Sequence, residues 1–220
     1  MAEPSQCVMV LDLDDTLYYE EAYSVSGIKA VASLLNSLFQ KELLDEMLLA
    51  KTEGGDIWGL ACEKLDLPMS VKDSLLWSYR LHEPRNISPS FDVVNVLGQL
   101  SDIYKRVAIV TDGRSLSQRL KLKALGLEKF PVYISEEFSS VKPDTARFEQ
   151  IMIDFPADGY TYVGDNVKKD FIGPNKLGWK TVGVVGESVR IYPLEEVSDE
   201  EFANPDIWID ELPCLLDIQL

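Results

Sequence analysis

Apolar positions along the chain keep two rhythms. Val8-Met9-Val10-Leu11 is an unbroken apolar run that stops on Asp12-Leu13-Asp14-Asp15. This is the pattern of a strand buried on both faces, as in a parallel sheet. The next stretch is helical. Ile28, Val31, Leu34, Leu35 and Leu38 recur at spacings of three and four and predict an amphipathic helix. A second helix is expected from near Lys41, until Gly54-Gly55 breaks the pattern. Asp56 to Leu65 resumes it through Ile57, Leu60, Ala61 and Leu65, and Pro68 ends that piece. Ser70-Val71-Lys72-Asp73 reads as a cap opening a further helix to Leu81. Such a block of about sixty residues is far longer than an ordinary connection between strands.

After a linker with Pro84 and Pro89, the rhythm becomes helix, strand, helix, strand. Val93, Val94, Val96, Leu97 and Leu100 mark a helix leading to the strand Val107-Ala108-Ile109-Val110, which ends on Thr111-Asp112-Gly113. A helix carrying Leu116, Leu120 and Leu122 stops at Leu125-Gly126-Leu127, ahead of a short strand Val132-Tyr133-Ile134. Lys142-Pro143 is expected to open a helix containing Phe148, Ile151 and Met152, with Pro143 in its first turn. Tyr160 to Val163 runs into Gly164-Asp165-Asn166, Thr181 to Val185 is the next strand, and Ile207-Trp208-Ile209 an edge strand before a short helix. The alternation implies an α/β fold with a doubly wound parallel sheet. Ligands in such sheets sit beyond the carboxyl ends of the strands, where Asp12, Thr111 and Asp165 all fall.

Composition narrows the function. With 220 residues the chain can build one core domain carrying an inserted subdomain. Cys7, Cys62 and Cys214 are odd in number, far apart and without metal or redox spacing, which favours a reducing compartment. No apolar run reaches membrane-spanning length and no basic-then-apolar leader opens the sequence, so the expectation is a soluble, cytoplasmic protein. A net charge of -16 disfavours nucleic acid and anionic membranes as partners. It also repels phosphorylated metabolites, so an enzyme acting on one needs a local cation. The acidic tract Glu195 to Glu201 reads as a solvated loop. His82, with no ligand-spaced partners, reads as a surface or hinge residue rather than a catalytic one.

Asp12 and Asp14, two apart at a strand end, should leave on the same side. Two carboxylates that close invite a divalent cation, a shared proton, or both. Further along lie a hydroxyl beside a glycine turn at Thr111 to Gly113, a cation at Lys142, and acids at Asp165 and Asp170.

Asp12-Leu13-Asp14-Asp15-Thr16-Leu17, Thr111-Asp112-Gly113, Lys142-Pro143, and Gly164-Asp165 followed by Asp170 stand in the order of the four motifs of the haloacid dehalogenase-like (HAD) hydrolase superfamily, which the chain resembles over nearly its whole length. The resemblance implies a Rossmann-like catalytic core of residues 1–17 and 89–220, with residues 18–88 as a small helical cap. It implies Asp12 as the nucleophile that forms an aspartyl-phosphate, and Asp14 as the acid and then the base. Mg²⁺ would be held by Asp12, Asp165 and the Asp14 backbone carbonyl, with the Asp14 side chain kept off the metal. Thr111, the amides of Asp112 and Gly113, and Lys142 would bind phosphate. Thr16, Asn166 and Asp170 would support the metal site and orient Lys142. At Gly164 a side chain would crowd that site. Asp15 stands where many relatives have Gly, a substitution tight turns tolerate.

Dehalogenases of the superfamily lack the second aspartate, so Asp14 favours phosphoryl chemistry. The expected activity is a Mg²⁺-dependent phosphatase acting on a small phosphomonoester, a sugar phosphate or nucleotide. A phosphomutase of the β-phosphoglucomutase kind shares the motifs, and a dormant binding or regulatory protein is the alternative from another class. Tyr18, Tyr19, Lys51, Trp58, Trp77, Arg80 and Arg85 lie in or beside the cap, where any could face the substrate or simply form cap core and surface.

Overall fold

The computed structural model of the chain describes residues 5–186 and 201–218, so the acidic tract lies outside the described residues except for Glu201. Its centre is a six-stranded sheet in the order β3-β2-β1-β4-β5-β6. The strands are β1 (Ser5–Leu11), β2 (Tyr104–Thr111), β3 (Val132–Ile134), β4 (Gly159–Gly164), β5 (Lys180–Val184) and β6 (Ile207–Ile209). Every pairing is parallel. The chain first builds outward from β1 to β2 and β3, then returns to the other side of β1 with β4. A crevice therefore opens at the carboxyl ends of β1 and β4, where connections depart in opposite directions.

β1 is buried on both faces. Met9 and Leu11 pack with Leu97, Leu100, Ile109 and Leu122 on one side, whereas Val8 and Val10 pack with Val110, Phe148, Ile151 and Trp179 on the other. Leu11 pairs with Ile109 and with Val163, and the Asp12 amide donates to the Val163 carbonyl at 2.8 Å. That register sets Asp12, Thr111 and Asp165 side by side.

Four helices follow β1: α1 (Glu20–Phe39), α2 (Leu44–Thr52), α3 (Ile57–Lys64) and α4 (Lys72–Arg80). They enclose their own apolar cluster, in which Ile28, Val31, Ala32 and Leu35 of α1 meet Met47, Ala61, Cys62 and Leu75. Leu34 and Leu38, expected on that stripe, face outward at 42% and 64% exposure. The cap expected at Ser70 does not form, because Met69–Val71 is a 3-10 turn leading directly into α4. Asp56 does cap α3, accepting from the Gly59 amide at 2.9 Å.

The remaining helices are α5 (Val93–Ile103), α6 (Ser115–Ala124), α7 (Ser135–Phe138), α8 (Ala146–Asp154) and α9 (Ile172–Lys176). Asp92 caps α5 through the Asn95 amide at 3.0 Å. α8 begins later than expected: Pro143 sits in the turn before it, where the Asp144 amide donates to the Val141 carbonyl at 2.9 Å. A 3-10 helix, Leu212–Leu216, follows β6 as the expected short helix. Among the described residues no helix is long and apolar enough to cross a membrane, and the three cysteines form no disulfide.

Candidate active site

Asp12 is the first residue past β1 and only 2% exposed. Its Oδ1 accepts from the Lys142 Nζ at 2.8 Å. The same ammonium reaches Asp170 Oδ1 at 2.6 Å and the Tyr162 hydroxyl at 3.1 Å, so its three donors each have a partner. Asp170 Oδ2 in turn accepts from the amides of Asn166 at 2.8 Å and Asp165 at 3.2 Å. Thr16 Oγ1 lies 3.4 Å from Asp165 Oδ1, and Asn166 Oδ1 accepts from the Lys168 amide at 3.0 Å. Asp12, Lys142, Asp165 and Asp170, four residues singled out by the sequence, thus form one network in which all but the half-buried Asp165 are buried.

Carboxylate oxygens of Asp12, Asp165 and Asp170 lie within 4.8 Å of one another. Burial, partly offset by Lys142, pushes the Asp12 carboxyl up to about 7. Burial and then the negative charges of Asp170 and Asp12 push Asp165 to about 8. Burial acts on Asp170 too, but Lys142 and Lys169 outweigh it and hold this carboxyl below the ordinary range. Asp170 is therefore committed to Lys142 and to backbone amides. Asp12 and Asp165 are crowded anionic positions whose charge a divalent cation would relieve, so the donor set fits a hard, oxygen-seeking metal.

Asp14 has different partners from Asp12. Strand alternation ends at Leu11, so their spacing does not bring the two carboxylates into one set. The chain turns at Asp15, which adopts a left-handed φ of 56° and accepts from the Glu20 amide at 2.9 Å, capping α1. Asp14 Oδ1 accepts from Lys121 Nζ at 2.7 Å and from the Tyr18 hydroxyl, and Oδ2 lies 2.9 Å from Gln118 Nε2. Burial would raise the Asp14 carboxyl, but the Lys121 ammonium and these hydrogen bonds hold it below the ordinary range. In this arrangement Asp14 is a carboxylate paired with the Lys121 ammonium.

The glycine turn after β2 also differs from expectation. Thr111 is fully buried, with its hydroxyl 3.0 Å from Gln118 Nε2. The Gly113 amide, one of the two expected to face an anion, donates to Ser135 Oγ at 2.9 Å, and at the start of α6 Glu136 accepts from the Ser115 amide at 2.7 Å. The Asp112 side chain turns inward, accepting from the Lys142 amide at 3.2 Å and pairing with Arg147. Arg147 is wholly buried in α8, and its Nη1 donates to the Thr111 carbonyl at 2.8 Å. Gly113, at φ 147°, packs so closely on Gln118 that a Cβ would lie 2.6 Å from Nε2. At Gly164 a Cβ would meet Asp170 Oδ2 at 2.8 Å, so the crowded neighbour is this carboxylate.

Lys121, Gln118, Arg147 and Tyr162 were not singled out by the sequence. The one legible signal is on α6, whose buried face holds Ser117, Gln118, Lys121 and Leu122 while Leu116 is 60% exposed. His82 is buried rather than superficial. Its Nδ1 lies 2.6 Å from the Tyr79 carbonyl and its Nε2 3.2 Å from Ser26 Oγ, and its ring packs on Tyr23 and Tyr79. Burial therefore lowers its proton affinity. A cleft of ≈ 1550 Å³ runs along α1 and reaches Asp15, with Tyr19, Lys51 and Arg85 on its walls. The other cap candidates lie elsewhere: Tyr18 against Asp14, Trp58 on Tyr79, and Arg80 over the Trp77 ring.

The family model for haloacid dehalogenase-like hydrolases matches residues 9–184. The chain is 29% identical over 227 residues to the glyceraldehyde 3-phosphate phosphatase of Methanopyrus kandleri, covering 96% of this chain and 95% of the relative. It is 26% identical over 226 residues to the enzyme of the same name from Methanocaldococcus jannaschii, with the same coverage. Among solved structures, the HAD-hydrolase YfnB from Bacillus subtilis, crystallised with magnesium, superposes with a TM-score of 0.66 over 98% of both chains at 15% identity.

Proposed function

The chain belongs to the haloacid dehalogenase-like hydrolase family, and on that premise we propose that it is a Mg²⁺-dependent phosphatase acting on a small phosphomonoester of the sugar-phosphate class. The observation that carries the reading is the division of carboxylates at one sheet edge. Asp12 sits beside Lys142 and Asp165, while Asp14 is held apart by Lys121. The two relatives named as glyceraldehyde 3-phosphate phosphatases support the reaction class and favour a small phosphorylated carbohydrate over a nucleotide.

Asp12 attacks the phosphorus through one carboxylate oxygen, the ester P–O bond breaks, and the leaving oxygen takes a proton from Asp14. Asp14, again a carboxylate, then removes a proton from water, whose oxygen attacks the phosphorus and breaks the aspartyl P–O bond. Inorganic phosphate departs and Asp12 is restored. Lys142 neutralises charge on the transferring group, and the Thr111 hydroxyl is its expected hydrogen-bond donor. Mg²⁺, held by Asp12, Asp165 and the Asp14 carbonyl, would keep the nucleophile ionised and offset phosphate charge. Thr16, Asn166 and Asp170 brace this set, and Asp112 and Gly113 shape the cradle through Arg147 and Ser135.

We take residues 18–88 as a cap over a core of residues 1–17 and 89–220, with the cleft along α1 admitting the substrate, and place the protein in the cytoplasm. The test is a panel of phosphorylated sugars, trioses and nucleotides scored by phosphate release with and without Mg²⁺, using wild type and Asp12→Asn. Release by wild type alone is expected, at least about 100-fold above the variant. Isomer interconversion without release would indicate a mutase. Equal inactivity of both proteins across the panel would leave a binding role and overturn the proposal.

A further inference from the structure

We propose that Lys121 and Gln118, three residues apart on α6, are positioning residues that hold the Asp14 carboxylate for proton transfer; the inference rests on the phosphatase reading. Each Asp14 oxygen has its own donor from this helix: Oδ1 at 2.7 Å from Lys121 Nζ and Oδ2 at 2.9 Å from Gln118 Nε2. Spacing of three puts both side chains on one helix face.

That face is an expensive place for polar groups. Lys121 and Gln118 are 4% and 2% exposed, and burying an ammonium and an amide is unfavourable unless each is closely partnered. An apolar face would serve the fold better. The Lys121 ammonium is further confined by aromatic rings, 4.3 Å from the Tyr23 centroid and 5.9 Å from that of Tyr18. It cannot swing to solvent without leaving both. Gln118 Nε2 also lies 3.0 Å from Thr111 Oγ1 and 2.6 Å from the Asp112 carbonyl, while its buried Oε1 has no hydrogen-bond partner among the described residues. Its orientation is therefore set by three acceptors, and fold stability alone would favour an amide satisfied at both ends.

Two consequences follow. Asp14 is drawn toward α6 and stays out of the cluster formed by Asp12, Asp165 and Asp170. Gln118 also ties Asp14 to Thr111, so the proton carrier and the phosphate cradle keep a fixed relation. Lys121 and Gln118 touch neither phosphorus nor leaving group; they act through Asp14.

Rapid-mixing kinetics with Mg²⁺ would test this on two esters. p-Nitrophenyl phosphate releases a stable phenolate that needs no proton, whereas glycerol 2-phosphate releases an alkoxide that does. In Lys121→Met, p-nitrophenolate should appear in a burst approaching one equivalent per site, at a rate close to wild type. Subsequent turnover should fall by about 100-fold with KM falling alongside it, so that kcat/KM for this ester holds, while turnover of glycerol 2-phosphate should fall by about 100-fold as well. A variant in which burst rate and turnover fall together, or in which turnover is unchanged, overturns the proposal. Should thermal melts show Lys121→Met to be unfolded, Gln118→Met carries the same expectation and the same refutation. A wild type inactive on both esters removes the phosphatase reading and this inference with it; an active wild type with an unselective variant removes this inference alone.

Discussion

Replacing Arg147 by Met should weaken the fold and the phosphate cradle together. The guanidinium is wholly buried, and its Nη1 donates to the carbonyls of Thr111 at 2.8 Å and Tyr133 at 3.3 Å while Nη2 pairs with Asp112. It thus clamps the end of β2 and the turn after it to β3 and to α8. Met fills most of the volume, so the loss is electrostatic. Breaking a buried pair from one side costs roughly 3–5 kcal/mol because the partner charge is stranded. Asp112 retains 21% side-chain exposure and can recruit water, which selects the lower end, about 3 kcal/mol. In a domain of this length that amounts to a fall in Tm on the order of 6–12 °C. Urea unfolding monitored by fluorescence measures the free energy. Arg147→Met with Asp112→Asn should be less destabilised than the sum of the single variants by at least about 1 kcal/mol. Since Asp112 also accepts from the Lys142 amide, KM for a phosphomonoester should rise as well. An Arg147→Met protein within about 1 kcal/mol of wild type, or strict additivity in the cycle, would refute the assignment of this cluster as a structural clamp.

Two further outcomes are expected. Without metal, the raised carboxyls of Asp12, at about 7, and Asp165, at about 8, contribute stability that is present below the ordinary carboxylate range and lost as pH rises toward 8, because the folded state binds more protons than the unfolded one across that window. The lowered carboxyls of Asp14 and Asp170 act in the opposite sense, but in and below the ordinary carboxylate range, so they leave the change between pH 5.5 and 8 to the raised pair. The rise in Tm on adding Mg²⁺ should then be larger near pH 8 than near pH 5.5, and calorimetry finding an equal rise at both would refute this charge-crowding account. Asp92→Ala should cost about 1 kcal/mol in urea unfolding by removing the α5 cap on the Asn95 amide; no change would mean that water satisfies that amide equally well.

Much of the fold was legible because the longer elements leave periodic apolar patterns, and the ends of β1, β2 and β4 were legible because each stops abruptly on polar residues. α7 and α9, at 4 and 5 residues, are too short to carry a period. Local propensity also misplaced the starts of α4 and α8, where the Ser70 cap and the Pro143 position lost to the turns that dock each helix. Burial of Leu35 and exposure of Leu34 show the same limit: periodicity identifies a stripe, but its width depends on what the helix meets.

At the site, Asp12, Thr111 and Asp165 could be read because a parallel sheet brings strand ends together whatever the intervening sequence, whereas Lys142 and Asp170 were reached through the resemblance of their motifs. Gln118, Lys121, Arg147 and Tyr162 could not, since each acts through a partner distant in the chain: 104 residues separate Gln118 from Asp14, and 107 separate Lys121 from it. Yet these contacts change the chemistry expected of the first acidic stretch. Two carboxylates at a strand end could have shared one metal or one proton. Lys142 and Lys121 instead hold them in separate sets, Asp12 with Lys142 and Asp14 with Lys121.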